Sequence, residues 1–393
     1  MTLINNEYDY DSLDIKYTNL KIKEYEQDLL NYDYNYFKTY DKNKYKLIQR
    51  RVKLIINPFG KSYLPLRIYK NLETNENICP VKNFIKILKY KNCTNRLLNF
   101  ILKQIHKGKR QCDIKDMLPD CPISNQTISN IIKNSKFTIQ PLKEKIKVLD
   151  NQKLHIDIDD CYEFLRNDYG IIEKHCIRIF NFYTHKINIG KNRNQLLNKT
   201  TAFLLYKTGN SNNITQDKVY NFVFETINNN YDIKINSLKD LESQNLNLII
   251  AGDGALSIRA MAKLLGGYYI LDKFHAFSYL WKSFVGKRGK KKESTDWTKY
   301  IDSSASFKNG NYNQFINILE NNVDEKTFNY FKNNTQGIIN QGADWNIGCY
   351  AESTVFHLVK SLKGNGAKSY NSKTFINMLN ARVAYFNKQN ISF

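Results

Sequence analysis

No run of about 18 apolar residues, the length a helix needs to span a bilayer, occurs in this sequence. The first residues, Met1-Thr2-Leu3-Ile4-Asn5-Asn6-Glu7, also lack the charged-then-apolar layout of a signal peptide. Both absences argue against a membrane-spanning or exported protein and predict a soluble, cytoplasmic one with no membrane partner. Cys79, Cys93, Cys112, Cys121, Cys161, Cys176 and Cys349 are an odd set, without any pair at the short spacing of a zinc knuckle. A thiolate zinc site and a disulfide framework are disfavoured, and free thiols are expected. No internal repeat or long low-complexity tract is present.

Acidic residues are the other shortage: 37 Asp and Glu stand against 59 Lys and Arg, a formal charge of +22. Such an excess favours a polyanionic partner, because each neutralised phosphate releases condensed counterions. A membrane surface would exert the same pull. The heavy use of Lys, Asn, Ile and Tyr also matches AT-rich codons, which supplies part of the basicity with no partner at all.

The 393 residues are enough for two or three domains with a sizeable core. Residues 1–45 are rich in Tyr, Asp, Asn and Lys at irregular spacing and show no core pattern. A region over 46–148 follows. It opens with two β-rich runs, Val52 to Ile56 and Tyr63 to Tyr69, joined through Asn57-Pro58-Phe59-Gly60, which reads as a hairpin. Helical spacing then covers Phe84 to Leu88 and Leu97 to Ile105. A short helix near Cys112 to Leu118 is stopped by Pro119-Asp120-Cys121-Pro122, and Ser124 can cap the next one, through Ile128, Ile131 and Ile132. Helix, tight turn and capped helix describe either a helix-turn-helix, with Asn125, Gln126, Ser129 and Asn130 presented to a major groove, or an ordinary helical hairpin.

After a charged connector at about 137–150, a catalytic-type domain is expected over 149–393. Strands are read at Leu154 to Asp159, His175 to Thr184, Lys186 to Ile189, Leu246 to Ala251 and Tyr268 to Leu271, with helices at Asp217 to Asn229 and about Leu256 to Leu265. This α/β order matches a ribonuclease H-like mixed-sheet core. Residues at about 276–345 look helical, as an insertion, and contain the basic run Lys287, Arg288, Lys290, Lys291 and Lys292, either a DNA-phosphate track or a solvated loop.

Three acids, Asp159, Asp253 and Glu352, lie roughly a hundred residues apart in this domain. Asp159 sits in Leu154-His155-Ile156-Asp157-Ile158-Asp159, whose alternation puts Asp157 and Asp159 on one strand face. Asp253, between Gly252 and Gly254, sits where a core strand ends. Glu352 precedes Val355, Phe356, Val359 and Leu362, near a helix start. Two strand-borne aspartates and a helix-borne glutamate are what a two-metal phosphoryl-transfer site needs, and hard Mg²⁺ or Mn²⁺ prefers such oxygens. From the residues alone, either Asp157 or Asp159 serves as the first ligand. His357, five residues after Glu352, points away from it on a regular helix.

The segments Asp157-Ile158-Asp159, Gly252-Asp253-Gly254-Ala255, Leu271-Asp272-Lys273-Phe274-His275 and Ala351-Glu352-Ser353-Thr354-Val355-Phe356-His357 resemble, in order, the signatures of a DDE transposase-like family of Lre-type insertion sequences and integrative conjugative elements. The resemblance spans about Leu154 to Asn371. It departs from the family pattern at Ser257, Tyr370 and Lys363. It implies a transposase of a mobile genetic element, catalysing metal-dependent DNA cleavage and strand transfer at element ends, with two Mg²⁺ (or Mn²⁺) ions. It selects Asp159 over Asp157, with Asp159 bridging both ions and Asp253 and Glu352 holding one each. Asp272 and His275 are implied near the active site, with His275 at the scissile phosphate or a metal-bound water, a structural histidine between Phe274 and Phe277 being the alternative; a homo-oligomer on paired DNA ends is implied as well. A catalytically silent DNA-binding relative, or a ribonuclease H-like nuclease without strand transfer, are the alternative expectations.

Overall fold

The side chain of Asn57 accepts the backbone N–H groups of Phe59 and Gly60, and this local turn closes an antiparallel hairpin of Tyr45–Asn57 and Gly60–Asn71. The computed structural model in which it is seen describes residues 10–87, 92–136, 138–142, 144–148, 153–191, 193–209, 215–244, 246–287, 290–291, 295–363 and 369–392. Two compact units are present, one ending at Thr138 and the other covering Ile139–Ser392.

In the first unit, a helix over Tyr10–Thr39 occupies a stretch where spacing predicts no core element. Its inward face explains the silence. Leu29 packs with Ile55, Leu64, Leu66 and Val81, but the next inward position is the buried acid Asp33, paired with Arg67 of the hairpin. Three further helices follow, Asn95–His106, Gln111–Asp116 and Asn125–Asn134, the last behind the cap expected at Ser124. Thr94 accepts the Leu97 N–H, and Ser124 accepts the Thr127 N–H. Leu97, Ile101, Ile105, Ile114, Ile128 and Ile132 are buried. Asn125, Gln126 and Asn130 are exposed and Ser129 is half-buried.

The second unit is built on a mixed sheet of five strands, here numbered in chain order: β1 Lys153–Arg166, β2 Ile172–Tyr183, β3 Thr200–Lys207, β4 Asn247–Gly252 and β5 Tyr268–Leu271. Their spatial order is β5-β4-β1-β2-β3. The first three form an antiparallel meander, while β4 and β5 run parallel to β1. The expected strand at Lys186 to Ile189 is a correction. It lies in His185–Gly190, which pairs with Arg193–Leu197 as a separate ribbon, and Ile187 and Ile189 are 41% and 56% exposed. The third sheet strand is instead Thr200–Lys207, whose Thr-Thr-Ala-Phe-Leu-Leu has no clean alternation to announce it.

Helices Gln216–Asn230 and Leu256–Leu264 cover one face of the sheet, packing Val223, Ile227, Ile258 and Met261 against Ile156, Ile158, Phe180 and Phe182. Each such side chain contributes about 1.5–3 kcal/mol on burial. Because β1 alternates, Asp157 and Asp159 face the opposite side, where they are 1% and 5% exposed. Between β5 and the glutamate segment, helices Lys273–Phe284, Trp297–Lys308, Tyr312–Leu319, Glu325–Lys332 and Thr335–Ile339 enclose their own core of Phe307, Phe315, Leu319, Phe331 and Ile338. The first begins at Lys273, slightly before the expected insertion. Lys287, Lys290 and Lys291 lie in a short strand pair, Gly286–Lys287 and Lys290–Lys291; Arg288 and Lys292 lie outside the described residues. No helix among the described residues is long and apolar enough to cross a membrane.

Candidate metal centre

Sheet register brings the acids together across three parallel strands, at the C-terminal ends of β4 and β5. Gly252 of β4 pairs with Ile158 of β1 and with Leu271 of β5. The residues that follow, Asp159, Asp253 and Asp272, therefore fall in a row, just past the ends of β4 and β5 and midway along β1, which runs on to Arg166. Beyond β5, Asp272 turns the chain into a helix by accepting the Phe274 N–H, 3.1 Å away. One turn on, His275 places its Nδ1 2.8 Å from the Asp272 carboxylate. An imidazole anchored at Nδ1 keeps Nε2 as its lone-pair donor.

Ligand atoms of Asp159, His275 and Glu352 all lie within 4.8 Å of one another. Burial pushes the Asp159 carboxyl up to about 7; His275 pulls it down, and Glu352 and Asp253 push it further up. Burial also raises Glu352, but the Lys360 ammonium, helped by Asp159 and His275, outweighs it and holds that acid below its ordinary range. His275 is raised above the ordinary imidazole value, first by its hydrogen bond to Asp272 and against the effect of burial. Two carboxyls packed this closely repel unless a proton or a cation lies between them. With two carboxylates and an oriented imidazole as donors, the group fits a divalent cation.

Glu352 is the second residue of the helix Ala351–Val355, which passes into a π-helical turn at Phe356–Lys360 and then into Ser361–Lys363. On a regular α-helix Lys360 would lie eight steps, about 80° past two turns, from Glu352. The extra residue of a π-turn makes eight steps behave as about seven, roughly 20° short of two turns. Lys360 Nζ accordingly sits 2.9 Å from Glu352 Oε1. No spacing rule applied to the sequence reveals this lysine, since the π-turn that brings it round has no clear signature. His357 is exposed and outside the ligand group.

No protein-family model matches the chain, and no curated protein does.

Of the expected ligands, Asp159 and Glu352 are brought together, with His275 as the third donor. Asp253 lies outside this group of atoms. Its Oδ1 accepts the Ala255 N–H at 2.9 Å, its carbonyl accepts the Tyr330 hydroxyl at 2.8 Å, and its charge reaches Asp159. Gly254, at φ +92°, permits this turn; a Cβ there would meet the Tyr330 ring at 2.7 Å. Asp157 faces the same side as Asp159, but its two oxygens lie 2.9 Å from the Tyr183 hydroxyl and 2.7 Å from the Tyr350 nitrogen. Ser257 accepts a hydrogen bond from Arg178, and Lys363 pairs with Glu163.

Proposed function

We propose that this protein is a DDE-type transposase that carries out metal-dependent cleavage and strand transfer of DNA. The observation that carries the reading is the convergence of Asp159, Glu352 and His275 atoms within 4.8 Å on a five-stranded mixed sheet, where β4 and β5 end beside β1. The strand order, an antiparallel meander extended on one edge by two parallel strands, supports a ribonuclease H-like core. The net charge of +22 supports a DNA partner. In the first unit, the capped helix Asn125–Asn134 offers Asn125, Gln126 and Asn130 on its exposed side, as a helix-turn-helix would.

Asp159, Glu352 and His275 would hold one divalent ion, and Asp159 with Asp253 a second; Mg²⁺ satisfies the carboxylates, and the imidazole favours Mn²⁺ in affinity. Such ions, when bound, activate water and stabilise the departing oxygen of a phosphodiester. The protein's own groups prepare this. Asp272 orients His275, Lys360 holds Glu352 ionised, and Tyr330 fixes the backbone at Asp253. Water then cleaves a strand at an element end, and the 3′-hydroxyl so freed attacks target DNA without a covalent protein intermediate. Paired subunits on two ends belong to the same reading.

The test uses the full chain with Mn²⁺ on end-labelled duplexes copied from the DNA that flanks its coding sequence. Cleavage leaving 3′-hydroxyls, followed by joined products, is expected, with Glu352→Gln and Asp253→Asn each abolishing both. Cleavage that persists in either variant refutes the assignment, and cleavage without joining identifies a nuclease instead.

A further inference from the structure

On the face of the sheet that carries Asp159, a second set of buried polar groups reaches the segment bearing Glu352. Asp157, Asn181 and Tyr183 are 1%, 0% and 0% exposed, and Asp157 and Asn181 are register partners on β1 and β2. Tyr183 Oη lies 2.9 Å from Asp157 Oδ1 and 2.9 Å from the Gly348 carbonyl. The Tyr350 backbone N–H donates to Asp157 Oδ2 at 2.7 Å. Four residues on, the Thr354 hydroxyl receives hydrogen bonds from Asn181 Nδ2 and from Lys199 Nζ, each at 2.9 Å. Gly348, Tyr350 and Thr354 bracket Glu352 on both sides.

The bracketed segment has little to hold it by itself. Its α-helical stretch is five residues long, its N-cap Tyr350 makes no side-chain cap, and Gly348 precedes it at φ +94°. A first turn of this kind depends on outside partners for its backbone groups. Asp157 accepts the Tyr350 N–H directly, and the Tyr183 hydroxyl, with one hydrogen to share between Asp157 and the Gly348 carbonyl, links it to the second. Both Asp157 oxygens already accept buried donors, and turning either toward a metal would weaken the bond that holds the Tyr350 N–H or the Tyr183 hydroxyl.

We propose that Asp157 is a positioning residue and not a metal ligand: it clamps the Tyr350 backbone and, through Tyr183, the Gly348 carbonyl, so that Glu352 is held against Asp159 and His275. The inference rests on reading that group as a metal centre.

Mn²⁺ binding to the full-length protein, followed by electron paramagnetic resonance with folding checked by circular dichroism, decides it without any DNA substrate. Asp159→Asn should abolish binding. Asp157→Ala should weaken it about 10- to 100-fold, the usual effect of removing a group that orients a ligand. Asp157→Asn should stay within about threefold of wild type. Its carbonyl can accept the Tyr350 N–H and its amide can donate to Tyr183 Oη, which frees the single tyrosyl hydrogen for Gly348. Should Asp157→Ala not fold, Tyr183→Phe removes only the hydroxyl and should weaken binding in the same direction. Loss of binding in Asp157→Asn as complete as in Asp159→Asn makes Asp157 a ligand and overturns the clamp. Wild-type affinity in the folded Asp157→Ala protein, or in Tyr183→Phe where it stands in, overturns it too. Retained binding in Asp159→Asn instead overturns the metal reading, and the clamp with it.

Discussion

Neutralising Asp159 should stabilise the metal-free protein while removing its response to metal. In the folded chain burial, with Glu352 and Asp253 adding to it, pushes this carboxyl from 3.8 to about 7. Between those values the folded state binds more protons than the unfolded state, so this group makes stability fall as pH rises through the window. Above pH 7 the whole cost is present: about 3.2 pK units at 1.36 kcal/mol each is about 4 kcal/mol, taken as an upper figure. At pH 4 the same linkage leaves only about 0.6 kcal/mol. Asn keeps the shape and removes the charge, so Asp159→Asn in EDTA should be more stable than wild type at pH 8, by up to about 4 kcal/mol, and nearly equal at pH 4. Mn²⁺ at about 100 times its dissociation constant should add about 2.7 kcal/mol to wild type and nothing to the variant. Urea unfolding at both pH values, with EDTA and with Mn²⁺, measures all four quantities. A variant no more stable than wild type at pH 8 in EDTA, or one stabilised equally by Mn²⁺, would refute the reasoning.

Two other perturbations probe the supports of the centre. Asp272→Asn removes the carboxylate that anchors His275 Nδ1; Mn²⁺ affinity should fall about 10- to 100-fold in a calorimetric titration, with the fold retained. Gly254→Ala forces a Cβ to within 2.7 Å of the Tyr330 ring at a φ of +92°, and should destabilise the protein by more than about 1 kcal/mol in urea, where Gly266→Ala, at φ +61° with nothing near its Cβ, pays only the backbone strain.

Local chemistry explains which parts could be read in advance. The hairpin around Asn57 to Gly60 and the helix behind Ser124 are set by side chains that bond to their own neighbouring backbone, so their signals are contiguous. The alternation in Leu154 to Asp159 marks a strand with acids on one face for the same reason. By contrast, the helix Tyr10–Thr39 escapes because its inward residues include Asp33, neutralised by Arg67 from a distant strand. Thr200–Lys207 escapes because it is covered in part by the C-terminal helix Ser372–Phe386, with Asn387 bonding to Thr201, and Lys186 to Ile189 misleads because β-propensity alone cannot distinguish a core strand from an exposed ribbon.

The sequence alone determined the chemistry available: an excess of positive charge, acids at the ends of apolar runs, and a histidine one helical turn beyond Asp272. Tertiary structure decided which of these groups meet. Parallel register sets Asp159 beside Asp253 and Asp272, a π-turn rotates Lys360 over Glu352, and Tyr183 with Tyr350 occupies Asp157. The physical reason is that a ligand set depends on distances between residues far apart in the chain, and those distances follow from strand pairing and helix packing, to which local spacing is blind.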